Sequence, residues 1–408
     1  MKRVVVLAPE PIRPRMAGMG IRALELARTL SREFEVSVLV PNAEEEARPV
    51  AGPLPVVSLG AVDLPAAAAG ADSAVVSGHA ASAWFRQVPD VPVAADLYDP
   101  FPIENLHYAP ALGPEAAQHD RAAMALALAR ADFFLCASPE QRLFYAGALY
   151  ASGRIGPGNF SRDPSLERLL AVVPFGVPEE PARGDRLRGR LAAGVAAEGP
   201  LLLFGGVYDW NEPDLLLEAW PRLAAGIPDA RLLFFENPNP ESTPQRAYAR
   251  TREKARELDR EGQAIVFSPW LPYAERADLY AASDLLVSTS AEGLESDLAF
   301  RTRLLDAAWG GVPCVSVAGG RLAQDLERAG AGRCAARDPQ ALVDAIREML
   351  ARGGSAREAA RAFAVGKSWG RVARPLVGWC RSAALDPGRI SAPVARSRSG
   401  WGRWLSRA

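Results

Sequence analysis

Short apolar runs of four or five residues alternate along this chain with longer stretches whose apolar positions recur every three or four residues. That alternation predicts parallel strands covered by helices. In the first half the runs predict strands at 4–8, 36–40, 73–77, 93–96 and 133–137, with helices over 21–32 and 115–131. The 115–131 segment is rich in Ala and Leu and has no internal Gly or Pro, which favours a helix. A second series predicts strands at 201–204, 232–235, 265–267, 285–288 and 313–317. Its helices fall at 214–225, 244–261, 274–282, 298–309, 320–329 and 339–351. Between the series, the proline-dense "VVPFGVPEEP" (172–181) reads as a linker. The fold class expected is α/β, two Rossmann-like doubly wound domains in tandem.

Length and composition sharpen this picture. A chain of 408 residues exceeds one ordinary core, so two domains of roughly 200 residues are expected. A hydrophobic share of 49% with 23% charged residues fits a folded chain. The net charge of −1 excludes wholesale nucleic-acid binding, which needs a basic excess. Cys136, Cys314, Cys334 and Cys380 lie far apart without a CxxC pair, the pattern of reduced core thiols in a cytoplasmic protein. Three histidines that do not cluster argue against a protein-built zinc site. The start "MKRVVVLAPEP" reads as a buried strand rather than a signal peptide. No apolar run approaches the roughly 18 residues that span a bilayer. From Pro387 to Ala408 the chain carries five arginines, no acid, and Trp401 and Trp404. This tail reads either as solvated and disordered or as a basic-aromatic foot giving weak peripheral contact with an anionic membrane.

Doubly wound sheets bind ligands beyond the carboxyl ends of their strands, near helix N-termini. "APEPIRPRMAGMGIRALELARTL" follows that plan, with Gly18 and Gly20 in the loop before a helix. Glycines let backbone approach a phosphate or sugar, although no third glycine completes a dinucleotide fingerprint. The richest stretch is "EGLESDLAFRTRLLDAAWGGVPCVSVAGG" (292–320). A helix beginning near Leu298 would be capped by Ser296 or Asp297. Arg301 and Arg303 would then lie about 200° apart around it. Either one pairs with Glu292, Glu295 or Asp306 while the other meets a bound phosphate, or both belong to a structural ion-pair network. Spacing alone does not separate these. "VAADLYDPFPIENL" places Asp96, Tyr98, Asp99 and Glu104 after a strand, and His79 in "VVSGHAAS" follows another. Each also suits a turn or packing role.

On these motifs the chain resembles the large retaining GT-B glycosyltransferase family that uses nucleotide-sugar donors. It is most similar over 201–351 and to a bacterial subgroup carrying a Phe-Arg-Thr-Arg segment, here Phe300 to Arg303. "VVPFGVPEEP" resembles the family's hinge, "FENPNP" a segment of the subgroup, and "SWGRVARPLVGWC" (368–380) its terminal crossover helix. Two departures stand out. Members carry two glutamates with seven residues between them, where this chain has Leu298 and Asp306. Members also carry an Arg and a Lys after the first strand of the second domain, where this chain has Gly206 and Asn211.

The resemblance implies an N-terminal acceptor-side domain (1–175) and a donor domain (176–365) facing a central cleft. A crossover helix (366–386) and the basic tail (387–408) would follow. It implies a hexosyltransferase working in the cytoplasm or at the inner face of the membrane, on cell-surface glycans or specialised glycosides. The donor would be a nucleotide-diphosphate sugar, with no permanently bound cofactor and no metal. The acceptor would be a glycan, a lipid-linked sugar or a small molecule. Asp99, Tyr98, Arg301 and Arg303 would serve transfer, the two arginines replacing the missing Arg/Lys pair as the diphosphate leaves. Gly18, Gly20, Gly206, Asn211, Glu295, Ser296 and Asp306 would line the donor. Two other readings keep the fold: a nucleotide-sugar hydrolase or epimerase, and a degenerate protein that binds a sugar nucleotide or partner enzyme without turnover.

Overall fold

The computed structural model describes residues 1–390 apart from 89, 242 and 261. The tail predicted from 387 lies outside the described residues beyond position 390. The chain divides into two compact units, Met1–Phe175 together with the chain from Trp369 onward, and Gly176–Ser368. Among the described residues no helix is long and apolar enough to cross a membrane.

The first unit is built on seven parallel strands. These are β1 (Arg3–Leu7), β2 (Glu35–Val40), β3 (Val56–Ser58), β4 (Ser73–Ser77), β5 (Val93–Asp96), β6 (Phe133–Cys136) and β7 (Leu170–Val172), in the order β3-β2-β1-β4-β5-β6-β7. The central strands read as unbroken apolar runs because helices cover both faces of the sheet. Val4, Val5, Val6 and Leu7 are all within 2% of full burial. Trp84 and Phe85 of the helix Ala80–Gln87 pack into the same core as Val76, Ala95 and Phe134. The edge strands β3 and β7, three residues each, are too short to register as periodic runs.

The second unit has six parallel strands: β8 (Leu201–Gly206), β9 (Arg231–Phe235), β10 (Ile265–Ser268), β11 (Leu285–Thr289), β12 (Cys314–Val317) and β13 (Gly332–Cys334). Their order is β10-β9-β8-β11-β12-β13. Leu216, Leu217, Trp220 and Leu223 of the helix Pro213–Gly226 cover one face of this core. Leu342, Ile346 and Met349 of the helix Pro339–Ala364 join it.

Three local predictions are corrected. The helix expected over 298–309 is two pieces, Leu294–Leu298 and Thr302–Trp309. Between them Ala299 is extended and Arg301 sits at φ −69°, ψ 80°, outside helical geometry. Ser296 therefore lies inside the first piece, and the second has Arg301 at its N-cap without a side-chain cap. The 339–351 helix continues to Ala364 across a break at Gly353, where a φ of 49° suits glycine. The crossover segment is not one helix but Trp369–Val372 followed by Arg374–Arg381.

A buried ion pair anchors the first unit. Arg22, fully buried, forks onto Asp96 through Nε (2.6 Å) and Nη2 (2.9 Å). It also donates to the carbonyl oxygens of Pro174 (3.0 Å) and Val173 (2.9 Å). Removing only the carboxylate strands a buried cation, which costs far more than deleting a surface pair. Asp96→Ala is expected to lower the stability of this unit by about 3–5 kcal/mol, read from urea unfolding followed by tryptophan fluorescence. A loss of less than about 1 kcal/mol, the surface-pair range, would contradict this account of the anchor.

Candidate active site

In each sheet the strand order reverses once, between β1 and β4 in the first unit and between β8 and β11 in the second. Connections leave those neighbouring strands toward opposite faces, so a crevice opens at their carboxyl ends, and ligands bind there in open α/β sheets.

In the second unit the reversal is bordered by the end of β8. Its register against β9 shifts between Leu203 and Gly205, and Gly205 takes φ +91°, a conformation that glycine adopts without strain. This irregular end turns two carbonyls toward Arg303, whose Nη1 donates to the oxygens of Phe204 (3.0 Å) and Gly206 (2.8 Å). The guanidinium lies 5.9 Å from the ring centroid of Tyr208. Burial pulls its pKa below the usual arginine range; Tyr208 opposes that shift and Arg301 adds to it.

Arg301 has a different environment. Its Nη1 and Nη2 fork onto Glu295 at 2.8 and 2.7 Å, and Nη2 also donates to Ser296 Oγ at 3.2 Å. Both side chains of the pair are at least nine-tenths buried, and Arg301 Nε is buried without a hydrogen-bond partner. The break in the predicted helix makes this pair possible: the extended residues after Leu298 carry Arg301 back over the short helix that holds Glu295. On one regular helix the two residues would lie about 240° apart, which is six steps of 100°.

The other predicted donor residues take supporting positions. Asn211 is buried; its Oδ1 accepts from the Tyr208 backbone N–H at 3.0 Å and its backbone bridges to Ser290. It ties the loop after β8 to the end of β11. A Cβ on Gly206 would come within 2.8 Å of the Trp270 ring, so glycine there lets the indole rest on the strand end. Ser296 Oγ donates to the Ala291 carbonyl. Asp306 is buried, and its charge helps raise the Tyr280 pKa, behind burial of that hydroxyl.

In the first unit Gly18 and Gly20 belong to the helix Gly18–Leu30 and not to the preceding loop. A Cβ on Gly20 would meet the Pro11 carbonyl at 2.9 Å, so its role is to let the 9–11 loop press on the helix start. The carboxylate of Glu10 accepts from the Gly20 N–H, while its Oε2 is buried without a partner. Burial, then the neighbouring Asp99 charge, push the Glu10 pKa up to about 7 against the pull of Gly20 N–H and Arg13. Sequence reading passed over Glu10. The available signal was a single carboxylate between prolines, directly after the strand and before the glycines.

Tyr98, expected to serve transfer, takes a packed position. The residue is 7% exposed, its ring stacks beneath Arg22 at 4.4 Å, and burial drives its hydroxyl pKa far above the usual range. Asp96 has both oxygens on Arg22. Of the carboxylates following β5, Asp99 is partly exposed and lies near Glu10. Among the described residues no group of three or more His, Cys, Asp or Glu is placed to hold a metal ion.

A D-inositol 3-phosphate glycosyltransferase of Geodermatophilus obscurus is 31% identical over 233 residues, covering 56% of this chain and 50% of the relative. The match thus takes in about half the length of that curated relative. Anabaena Alr3699/HepE, solved with UDP and glucose, superposes with a TM-score of 0.68 at 18% identity, covering 94% of this chain and all of the other (100%). Sucrose-phosphate synthase of Thermosynechococcus elongatus gives a TM-score of 0.64 at 18% identity, with 93% and 98% coverage. At that identity the likeness is one of fold, and the fold is GT-B, two Rossmann-like α/β domains. Residues 199–352, which hold the entire β8–β13 sheet with Arg301 and Arg303, match the family of glycosyl transferases, group 1.

Proposed function

We propose that this protein is a retaining glycosyltransferase that moves a hexosyl group from a nucleoside-diphosphate sugar to an acceptor hydroxyl. The observation that carries this reading is Arg303, a part-buried guanidinium held by the carbonyls of Phe204 and Gly206 at the strand reversal of the second unit. A cation so placed keeps its charge for an anion, and in this reading that anion is the leaving diphosphate. Arg301, with Glu295 already on its fork, contributes through its unpartnered Nε. In the reaction, the acceptor oxygen bonds to the anomeric carbon as that carbon's bond to the diphosphate oxygen breaks. The diphosphate departs with the electron pair and takes up the acceptor's proton.

The first unit supplies acceptor contacts, with Glu10 and Asp99 accepting hydrogen bonds from sugar hydroxyls. UDP-glucose is the first donor to test, because a neighbour of the same fold was solved with UDP and glucose. D-inositol 3-phosphate is the first acceptor, taken from the partial relative. One observation favours binding without turnover: with Arg301 paired to Glu295, less cationic charge is left for the diphosphate than in a site with a free Arg/Lys pair. Product assays separate the two readings, since binding alone gives a donor-dependent thermal shift and no glycoside.

Two outcomes test this proposal. A thermal-shift panel of UDP, GDP, ADP and dTDP should show stabilisation by one nucleoside diphosphate, about 2.7 kcal/mol at a hundredfold excess over Kd. Arg303→Met gives up two backbone hydrogen bonds and should melt somewhat below the parent without ligand, but the nucleoside diphosphate should add no further shift to its own ligand-free melting point. A variant shifted as strongly as the parent would sink the diphosphate role. The second outcome is a pH profile. Glu10, with its pKa near 7, is neutral below that pH and an acceptor-only carboxylate above it. Transfer should therefore rise between about pH 6 and 8, by up to tenfold per unit for one ionisation. Glu10→Gln should flatten that limb; an unchanged limb would remove Glu10 from the acceptor site.

A further inference from the structure

The reversal in the first unit has a second flank, the carboxyl end of β4. There Gly78, at φ +56°, turns the chain into His79, the N-cap residue of the helix Ala80–Gln87. His79 Nε2 lies 2.7 Å from Asp120 Oδ1. The other carboxylate oxygen, Asp120 Oδ2, accepts from Asn105 Nδ2 at 2.9 Å. Asp120 comes from the helix Pro114–Arg130 and Asn105 from the 3₁₀ turn Asn105–Tyr108, so two separate elements fix one imidazole. Phe101 and His119 flank the ring at 4.9 Å each.

A carboxylate can only accept, so the hydrogen between Asp120 and the ring belongs to Nε2. In the neutral imidazole this makes Nδ1 the acceptor, and Nδ1 is buried with no hydrogen-bond partner. The Asp120 side chain is 6% exposed while the His79 ring is 38% exposed. An acid hidden beneath a partly open imidazole, with the remaining ring nitrogen unmatched, is costly as a packing motif. It is the arrangement by which a protein holds one tautomer ready for a ligand. A buried acceptor without a donor is destabilising until a hydroxyl or water supplies one.

We infer that His79 is an acceptor-binding residue: its Nδ1 receives a hydrogen bond from a hydroxyl of a sugar or polyol at the β1–β4 reversal, with Asp120 and Asn105 as positioning residues that hold the tautomer. This inference rests on the transferase reading and adds a contact to it. His79 follows β4, Glu10 follows β1 and Asp99 follows β5, so the hydroxyl-bearing ligand is gripped from the ends of three neighbouring strands of one sheet. Among the described residues the hydrogen bond to this ring comes from a carboxylate and its ring neighbours are Phe101 and His119, surroundings that suit a neutral hydroxyl better than a phosphate.

The test uses the full chain, with UDP-glucose as donor and a panel of D-inositol 3-phosphate, free hexoses and hexose phosphates as acceptors. His79→Gln keeps an amide donor for Asp120 but places nothing at Nδ1. It should raise the acceptor KM at least tenfold while leaving the donor KM and the UDP thermal shift within twofold. Asp120→Asn should act in the same direction by reversing the tautomer, since its amide donates to Nε2. That reversal is visible by imidazole ¹⁵N NMR, which is tractable because the chain has only three histidines. The parent should show the Nε2–H form at His79, and Asp120→Asn the Nδ1–H form. An active parent with both variants matching it within twofold, or a parent ring protonated at Nδ1, overturns the assignment while the transferase reading stands. A parent that transfers to no acceptor on the panel overturns the transferase reading and the role of His79 together.

Discussion

Guanidinium groups, fully buried in Arg22 and part-buried in Arg303, hold the carboxyl ends of both sheets, and the geometry of the candidate site depends on them. Parallel strands finish with carbonyls that the sheet does not fully satisfy, and the loops that follow must be fastened without a further strand. In the first unit Arg22 reaches from a helix to Asp96 after β5 and to the carbonyls of Val173 and Pro174 after β7. In the second unit Arg303 reaches from a helix start to the carbonyls of Phe204 and Gly206. One planar group with several fixed donors can tie two elements at once, which lysine's single ammonium does poorly.

The two anchors differ in what neutralises them. Arg22 has a carboxylate, so its charge is matched and its site is structural. Arg303 is held by two carbonyl dipoles, and burial already weakens its hold on the proton. An anion arriving there would restore full charge compensation. Arg301 lies between these cases, matched by Glu295 on its fork but with Nε unpartnered. In the first unit the same low-dielectric logic acts on acids. Glu10 is held near neutrality by burial and by Asp99, and Asp120 orders His79 from beneath. The second unit thus offers positive charge at its strand reversal, and the first offers hydrogen-bond acceptors, a division that suits a diphosphate in one and hydroxyls in the other.

Much of the architecture was legible in the chain. Ten of the strands were marked by apolar runs long enough to stand out, and buried parallel strands must be apolar on both faces. The three that escaped, β3, β7 and β13, have three residues each and sit at sheet edges, where no run can form. Helix positions were also readable, because amphipathic spacing repeats over many residues. The 292–303 segment misled for a local reason: its apolar spacing continues through Ala299, yet the pairing of Arg301 with Glu295 is compatible only with a chain that leaves the helix there.

What the sequence determined by itself is the order of elements, the two α/β series and the presence of arginines and acids near strand ends, all properties of short-range periodicity and composition. Which of those charges meet was decided by tertiary structure. Tyr98 and Asp96 became the packing partners of Arg22, a residue more than seventy positions away. Arg303 turned to backbone oxygens about a hundred residues earlier, and Glu10 and His79 gained their chemistry from Asp99, Gly20 and Asp120. Desolvation and hydrogen-bond geometry are set by neighbours in space, and a linear chain carries no record of those until the sheets have ordered their strands.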